Sequence, residues 1–256
     1  MADLRIRPGV HNMSSAEVSA FRDAYSQMMA ITDNRSYGFF AGLHGVPGGF
    51  CKHSTQSAPA FLFLPWHRAY LYNFELAARD RVAGVTLPWW DWTLRPPRQD
   101  GIPKSFADRV VDGNKPNPLF SYRIDLANPP IHQSTRREPG PVDDLPTQAE
   151  VEDVLGNADW TDFTLALEGQ LHNRVHGWTG GHMGVVAVAA FDPIFWSHHC
   201  MVDRLWWMWQ VRNGNGNFPT DLLDTVLAPF NMRVRDVLSV NDLGYDYAAA
   251  QTVVPI

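Results

Sequence analysis

The pentapeptide HNRVH carries two histidines, His172 and His176, that are four residues apart. On a helix both imidazoles leave the same face about one turn apart, so together they can bind one metal ion. A zinc protease would need a glutamate directly after the first histidine as its general base, and Asn173 stands there instead. The spacing by itself is common, and two surface or core histidines are its simplest alternative explanation.

A second histidine motif lies in an aromatic run, FDPIFWSHHCMVDRLWWMWQ, at residues 191–210. An imidazole has little reason to enter an apolar segment unless its nitrogens have partners there. Asp203 stands one helical turn after His199, which predicts a carboxylate that fixes the tautomer of a liganding ring. His198 projects about 100° away from His199 on the same helix, so we expect at most one of the two to join the same metal.

Three more histidines lie upstream, namely His44 in GLHG, His53 in CKH and His67 in PWHR. Three histidines on each side of a loop-rich segment indicate two sites with three nitrogens each. Imidazole coordination suits copper, zinc, iron or nickel, and the scarcity of carboxylates favours copper. The residues alone therefore predict a dinuclear metal centre. A mononuclear zinc protein that uses only HNRVH is the alternative, and it leaves His44, His67 and His199 without a role.

Apolar spacing predicts the helices that must position these histidines. The long helical segments are expected at residues 14–32, 66–83, 161–176 and 197–212. Residues 94–147 are rich in Pro, Gly and Asn, which predicts loops and short turns rather than regular elements. Because candidate ligands lie on both sides of that stretch, it is not a domain linker. We expect one mainly α domain over residues 1–256, a helical bundle with long irregular loops around the dinuclear centre.

Composition excludes several classes of protein. With 45% hydrophobic residues, 19% charged residues and a net charge of −6, the chain has no basic stripe for nucleic acid. Its longest apolar runs are far shorter than the roughly 20 residues of a spanning helix, so we expect no membrane insertion. The first residues lack an apolar signal segment, which predicts a cytoplasmic location and leaves export with a carrier partner open. Cys51 and Cys200 allow at most one disulfide.

Four segments resemble the copper-binding regions of the tyrosinase and catechol oxidase family, the type-3 copper proteins. They are LPWHRAYLYNFE, LPWWDW, LEGQLHNRVHGWTGGHMG and FDPIFWSHHCMVDRLWWMWQ, and the resemblance runs from about residue 36 to residue 212. In that family three histidines hold each of two copper ions. The resemblance implies one set of ligands at His44, His53 and His67 and a second set at His172, His176 and His199. The family uses the second histidine of the HH pair, so His198 is implied to be a neighbour rather than a ligand.

The tripeptide CKH adds one feature and one departure. Cys51 stands two residues before His53, as in fungal and plant-like members where a cysteine sulfur is bonded to the ring of the second histidine. A thioether is therefore implied, with a free thiol as the alternative. His53 and His67 are fourteen residues apart, farther than in the more familiar members, so STQSAPAF must form a longer excursion between them.

The resemblance implies a phenol oxidase that uses O2, hydroxylating monophenols at the ortho position and oxidising catechols to o-quinones. Glu168 and Asn173 match the pair that in bacterial tyrosinases holds a water able to take the phenol proton, and a general base must reach its proton directly or through one water. A buried glutamate that only accepts hydrogen bonds is the alternative. The other functions left open are a catechol or o-aminophenol oxidase without monophenolase activity and a hemocyanin-like oxygen carrier.

Residues near the implied site define its mouth and its packing. The resemblance implies that Val186 stands at the position that narrows the entrance above the copper and Gly177 at one that contacts substrate, which predicts an open, uncharged mouth for small phenols. Phe195 is expected to stack on a liganding ring. Most tryptophans are predicted to pack in the core and around the metal, at positions 66, 89, 90, 92, 196, 206, 207 and 209. The remaining histidines, at positions 11, 132 and 182, are predicted to be surface or loop residues.

The two ends of the chain also resemble the family. Arg7 and the two tyrosines of GYDY, Tyr245 and Tyr247, resemble a motif that ties the ends of the catalytic domain together through contacts between a cation and aromatic rings. We expect no C-terminal shielding domain over the site. A copper-delivery partner is an expected interaction, and the sequence gives no oligomeric state.

Overall fold

The computed structural model of the protein describes residues 4–53 and 60–248. Its helices are α1 (Ser15–Met29), α2 (Tyr37–His44), α3 (Phe63–Arg81), α4 (Lys104–Ala107), α5 (Gln148–Leu155), α6 (Trp160–Ala166), α7 (Asn173–Thr179) and α8 (Ile194–Asn213). A wider π-helical segment, Leu167–His172, joins α6 to α7 without a break. The fold is mainly α, as the sequence predicts.

Short strands complete the described part of the chain. They are β1 (Arg5–Arg7), β2 (Val110–Val111), β3 (Lys115–Pro116), β4 (Arg123–Ala127), β5 (Pro130–Ser134), β6 (Val226–Leu227), β7 (Met232–Arg233) and β8 (Tyr245–Tyr247). β1 and β8 run parallel, with Arg5 opposite Tyr245 and Arg7 opposite Tyr247. The other strands form antiparallel hairpins between sequence neighbours.

The four predicted long helices are confirmed as α1, α3, the α6–π–α7 helix and α8. The helix α1 begins where Ser14 accepts a hydrogen bond from the backbone of Glu17 while the Glu17 carboxylate accepts one from Ser14. The helix α3 begins at Phe63, three residues before the predicted start. Helices α2 and α5 are short and were not predicted, because eight residues give too few turns for a clear apolar period.

The prediction that residues 94–147 lack regular elements is wrong. This stretch contains α4 and two hairpins, of which β4–β5 pairs five residues on each strand. Its turn-forming residues close hairpins instead of forming open loops. Between β2 and β3, for example, Asp112, Gly113 and Asn114 all have positive φ, the backbone conformation that Gly, Asn and Asp tolerate best.

The core lies where α3 packs between α1 and α8. It is aromatic, and Phe74 of α3 stacks on Trp196 of α8 with 3.5 Å between ring centroids. Of the eight tryptophans predicted to pack inside, all except Trp207 are buried. Within residues 4–53 and 60–248, no helix is both long and apolar enough to cross a bilayer.

The predicted contact between the chain ends is confirmed. Arg7 is fully buried, and its guanidinium carbon lies 3.7 Å from the ring centroid of Tyr245 and 5.7 Å from that of Tyr247. Its Nε donates to Glu75 of α3 at 2.8 Å. The paired strands β1 and β8 therefore cover a buried charge cluster that they share with α3.

Candidate metal centre

The six histidines predicted as ligands come together in one cluster. His44 is the last residue of α2, His67 lies in the first turns of α3, and His199 lies on α8. His172 ends the π segment and His176 follows on α7. His67 and His199 stack with 4.4 Å between ring centroids, and His172 and His176 are 4.5 Å apart.

The two predicted groups of three face each other. In the first group, the ring centroids of His44 and His67 are 5.5 Å apart, and His53 is 5.9 Å from each of them. In the second group, His199 lies 4.9 Å from His172 and 5.4 Å from His176. Across the groups, the ring centroid of His199 lies 4.4 Å from that of His67 and 6.2 Å from that of His44, and His53 lies 6.1 Å from His172.

Hydrogen bonds orient five of the six rings through Nδ1. Nδ1 of His44 lies 3.2 Å from the Val186 carbonyl, that of His67 2.8 Å from the Phe63 carbonyl and that of His176 2.7 Å from the Met183 carbonyl. Nδ1 of His172 lies 3.0 Å from Oδ1 of Asn173, and Nδ1 of His53 lies 3.0 Å from Oε1 of Glu168. Because these oxygens accept, each Nδ1 carries a proton, and Nε2 is the nitrogen that presents a lone pair when the ring is neutral.

Four of the six Nε2 atoms have no hydrogen-bond partner among the described residues, which fits a metal centre. Nε2 is buried without a hydrogen-bond partner among the described residues in His44, His53, His67 and His172. Nε2 of His176 lies 3.3 Å from Nε2 of His199. Buried polar atoms are otherwise almost always paired, so a cluster of unpaired imidazole nitrogens fits a binding site for an electrophile such as a metal ion.

Burial keeps most of these imidazoles neutral, the form that binds metal. Burial, together with the neighbouring imidazoles, holds the pKa of His44, His67, His172 and His199 well below the ordinary value. Burial also lowers the pKa of His176 to about 4. At neutral pH these nitrogens therefore need no deprotonation before they coordinate a cation.

His53 differs from the other five because an anionic partner accompanies it. Burial lowers its pKa, but hydrogen bonds with Cys51 and Glu168 outweigh burial and raise the pKa to about 9. Cys51 is buried, and its sulfur lies within 4.8 Å of ligand atoms of both His44 and His53. The sulfur and the ring are thus adjacent, as the predicted thioether requires.

Three sets of side chains have ligand atoms that all lie within 4.8 Å of one another. The sets are His44, His67 and His199; His44, Cys51 and His53; and His172, His176, His198 and His199. His199 belongs to two of them and so stands between the two predicted groups. His198, which the sequence places outside the ligand set, stacks on His172 at 5.3 Å and has both ring nitrogens buried without a partner among the described residues.

The predicted role of Asp203 is wrong. It makes no hydrogen bond to His199, whose Nδ1 has no partner in the described part of the chain. Oδ1 of Asp203 instead accepts from Nε of Arg68 at 2.5 Å, and Oδ2 accepts from Arg7 and from the hydroxyls of Tyr245 and Tyr247. Two buried guanidinium groups attract the carboxylate more strongly than a neutral imidazole does.

The π segment brings the two predicted proton-transfer residues together. The backbone N–H of Asn173 donates to the carbonyl of Glu168, five residues earlier, so one wide turn separates them. Glu168 is buried and contacts His53, whereas Asn173 is exposed and contacts His172. The pair therefore touches one ring of each histidine group.

A close backbone contact sets the position of the mouth beside His44. A Cβ on Gly45 would lie 2.1 Å from the Ala187 carbonyl oxygen, so only glycine allows this approach. The backbone of Val46 donates to the same oxygen at 2.9 Å. The carbonyl of the preceding residue, Val186, contacts Nδ1 of His44, and Val186 is 53% exposed. An ideal Cβ on exposed Gly177 meets no atom within 4 Å, so this part of the rim is also open.

Phe195 packs on the liganding rings, as predicted. Its ring centroid lies 4.1 Å from that of His199 and 4.9 Å from that of His44. Sequence reasoning missed Phe63, whose carbonyl orients His67 and whose ring packs edge-on against His172 at 4.8 Å. His182 lies in a turn, in agreement with the prediction of a surface or loop residue, but it is only 7% exposed and its Nδ1 accepts from the backbone of Arg136.

Comparisons with known proteins agree with this geometry. Residues 34–212 match the family model described as the common central domain of tyrosinase. The chain is 40% identical over 187 residues to a tyrosinase of Streptomyces glaucescens, a match that covers 61% of this chain and 65% of that protein. It is 30% identical over 254 residues to hemocyanin 1 of Megathura crenulata, which covers 90% of this chain and 7% of that protein.

The fold has a solved counterpart. The tyrosinase from Burkholderia thailandensis at low pH superposes with a TM-score of 0.79 at 21% identity, covering 97% of this chain and 75% of that one. The chain thus covers less than two thirds of the length of both sequence relatives named above. In the structural match, 97% of this chain is superposed.

Proposed function

The chain belongs to the tyrosinase family, and from this membership we propose that it is a copper-dependent phenol oxidase. It uses O2 to hydroxylate monophenols at the ortho position and to oxidise catechols to o-quinones. The observation that carries the proposal is the convergence of six imidazoles, five of which are held by Nδ1 so that Nε2 faces the cluster. The family implies a dinuclear copper centre, and this donor set fits it.

We assign three imidazoles to each copper ion. His44, His53 and His67 hold one ion, and His172, His176 and His199 hold the other. Membership of His199 in sets on both sides of the cluster supports a short distance between the two ions. When bound, the copper pair supplies the electron exchange between O2 and the phenol. The protein holds the rings, fixes their tautomers and keeps the site open on one side.

Glu168 acts on the phenol proton in this proposal. Together with Asn173 it holds a water that takes the proton of an incoming monophenol. Catechol oxidation depends less on this proton transfer than monophenol hydroxylation does. The contacts of the pair with His53 and His172 support this role, because a water between them lies beside both histidine groups. The alternative of a purely structural glutamate predicts equal effects on all substrates.

The mouth suits small, uncharged phenols. Val186 and Gly177 form an exposed rim without charge beside His44 and His176. Phe195 closes the inner side of the cluster against the core, so the ring of a substrate approaches from the Val186 side. The substrate then lies against imidazole and aliphatic surface, which favours a flat aromatic ring.

We further propose that the Cys51 sulfur is bonded to the ring of His53. Cys51 and Cys200 are both free of disulfides, and Cys51 lies next to the His53 ring. A thioether would restrain His53, whose neighbouring segment, residues 54–59, lies outside the described residues. The restraint would hold this ligand in place where the longer excursion to His67 begins.

The experiment that tests the function compares three substrates on the copper-loaded protein. Tyrosine, catechol and 2-aminophenol are offered separately under air, and both quinone colour and O2 consumption are recorded. Colour from tyrosine and catechol supports the proposal, whereas colour from catechol or 2-aminophenol alone supports an oxidase without monophenolase activity. Reversible O2 binding without product supports an oxygen carrier, the alternative that the similarity to hemocyanin suggests.

A further inference from the structure

A cleft of about 370 Å³ lies on α8 away from the metal centre, between α5 and the segment 89–98. The residues of α8 that line it are Met201, Arg204, Leu205 and Met208. With about 100° between successive helical positions, these four lie on the face of α8 opposite to His199. The cleft is therefore separate from the histidine cluster.

Arg204 is a buried cation without an ionic partner. It is 4% exposed, and its guanidinium carbon lies 4.2 Å from the ring centroid of Trp89. Its Nε is buried without a hydrogen-bond partner, and the guanidinium makes no hydrogen bond or ion pair with any residue in the ranges 4–53 and 60–248. Burial lowers the pKa of Arg204, which the nearby Asp91 offsets in part. A buried unpaired charge is costly unless a ligand compensates it.

A second arginine stands at the rim of the same cleft. Arg98 is exposed, and its side chain makes no hydrogen bond or ion pair with the described residues. His11, on the other side of the rim, has its pKa lowered mainly by burial; Asp91 opposes this effect, and Arg98 and Arg204 add to it. Both arginines therefore act on the same part of the cleft.

The two acidic residues of the cleft have partners of their own. Oδ1 of Asp91 accepts from the backbone and the hydroxyl of Thr93 at 3.0 and 2.6 Å. Glu152 pairs with Arg212 at 2.8 Å. Neither carboxylate forms a hydrogen bond with Arg204 or Arg98 in the described structure, so both arginines keep donors for an external anion.

The rest of the lining combines apolar residues with the uncharged polar residues Asn12, Thr93 and Gln148. Trp89, Leu94, Val151, Met201 and Met208 provide ring, aliphatic and thioether surface beside the two arginines. The volume is that of a pocket for a small molecule. We propose that this cleft binds a small organic carboxylate, whose oxygens pair with Arg204 and Arg98 while its apolar body lies between Trp89 and Met208. The planar guanidinium fork suits a carboxylate, and the Trp89 ring holds the guanidinium of Arg204 in place.

Calorimetric titration of the copper-loaded protein with 3-phenylpropionate tests the proposal, with 3-phenylpropionamide as the neutral probe of the same shape. We expect saturable binding of one acid per chain and no binding of the amide. Because carboxylates also bind metal ions, the titration is repeated on the metal-free protein. The acid should bind there with the same affinity, and loss of binding together with the metal overturns the proposal.

Variants assign the binding to the two arginines. Arg98→Gln should lower the affinity for 3-phenylpropionate about tenfold, because it removes one charged hydrogen-bond donor. Arg204→Met should abolish binding of the acid. Arg123→Gln, at an exposed arginine on β4 far from the cleft, is the matched control and should bind as the wild type does. If Arg204→Met fails to fold, Arg98→Gln decides alone. Wild-type affinity in Arg98→Gln contradicts the proposal.

Inorganic phosphate distinguishes an organic acid from any small anion. Phosphate can pair with the arginines but has no body to contact Trp89 and Met208, so we expect it to bind at least about tenfold more weakly than 3-phenylpropionate. Equal affinity of the two anions overturns the assignment to an organic carboxylate. Phosphate that binds the wild type more weakly than 3-phenylpropionate, and does not bind Arg98→Gln, supports the assignment to an organic carboxylate.

Discussion

Nδ1 of His53 lies 3.0 Å from Oε1 of Glu168, so the residue proposed to take the phenol proton also orients a proposed copper ligand. The two tasks need different properties of the side chain. Orientation needs an oxygen that accepts from Nδ1, whereas proton transfer needs a basic carboxylate. A pair of substitutions at one position can therefore separate them.

Glu168→Gln should leave copper binding intact, because an amide oxygen can still accept from His53, but it removes the base. We expect tyrosine turnover to fall by about 100-fold while catechol turnover changes by no more than about twofold. The measurement is kcat/KM for both substrates on variants with equal copper content. Equal losses on tyrosine and catechol would contradict the proposed role of the carboxylate.

Glu168→Leu is the matched variant that removes the acceptor as well. Its His53 ring loses the partner of Nδ1, so we expect copper affinity to fall by roughly 10-fold to 100-fold and both activities to fall with it. Competition with a chelator measures the affinity without reference to turnover. Unchanged copper affinity in this variant would show that the contact with Glu168 does not position His53.

Much of this centre could be predicted from the sequence, because the liganding histidines stand in short motifs with helical spacing. HNRVH and HHCMVD contain His172, His176 and His199, which the structure brings together in one cluster. The groups that orient the histidine rings were harder to predict from the sequence. Three of them are backbone carbonyls, of Phe63, Met183 and Val186, and any residue type can provide a carbonyl.

The error at Asp203 depended on competition between partners that are distant in sequence. Asp203 was expected to bind His199 because of local spacing, but Arg7 and Arg68 approach from β1 and α3 and take its oxygens. The π turn between Glu168 and Asn173 could not be predicted from apolar periodicity, because one wide turn shifts the helical register by only a single residue.

His198 and His199 offer a direct test of the ligand assignment. His199→Gln should lose one copper ion, whereas His198→Gln should keep two, because we assign only His199 to the centre. Both rings are fully buried, which makes the two variants a matched pair in packing cost. Elemental analysis after copper loading gives the stoichiometry. A loss of copper in His198→Gln, with none in His199→Gln, would reverse the assignment.

The charge cluster around Asp203 predicts a pH-dependent contribution to stability. Burial raises the pKa of Asp203, but Arg68 and Arg7 outweigh burial and hold the pKa below its ordinary value. The resulting stabilisation is present above the unfolded-state pKa of about 3.9 and is lost as the pH falls through the lower folded-state value. At pH 7, Asp203→Asn should lower the free energy of unfolding by about 3 to 5 kcal/mol.

Urea unfolding at several pH values measures this effect. The difference between wild type and Asp203→Asn should shrink as the pH falls below about 4. Asp242→Asn, at an exposed aspartate, is the control and should change stability by less than about 0.5 kcal/mol. A constant difference between wild type and Asp203→Asn across this pH range would mean that the charge of Asp203 is not what stabilises the ends of the chain.

The proposed link between Cys51 and His53 has a simple signature. Forming the carbon–sulfur bond removes the thiol hydrogen and one ring hydrogen, and the two electrons pass to O2, the oxidant of the proposed activity. The intact wild-type chain should therefore be lighter than its sequence mass by two hydrogen atoms. Cys51→Ala should show its full sequence mass. Peptide mapping should place residues 51 and 53 in one modified peptide. A wild-type chain that reacts with thiol reagents at Cys51 after copper loading would contradict the link.

The central claim is that six imidazoles from α2, the 51–53 segment, α3, the π segment, α7 and α8 hold two copper ions. Counting bound copper in the loaded wild type and in His44→Gln and His172→Gln tests this most directly, with circular dichroism to confirm that each variant folds. The account predicts two ions in the wild type and one in each variant, since each substitution disables one side. A wild type that binds a single ion, unaffected by His44→Gln, would contradict it.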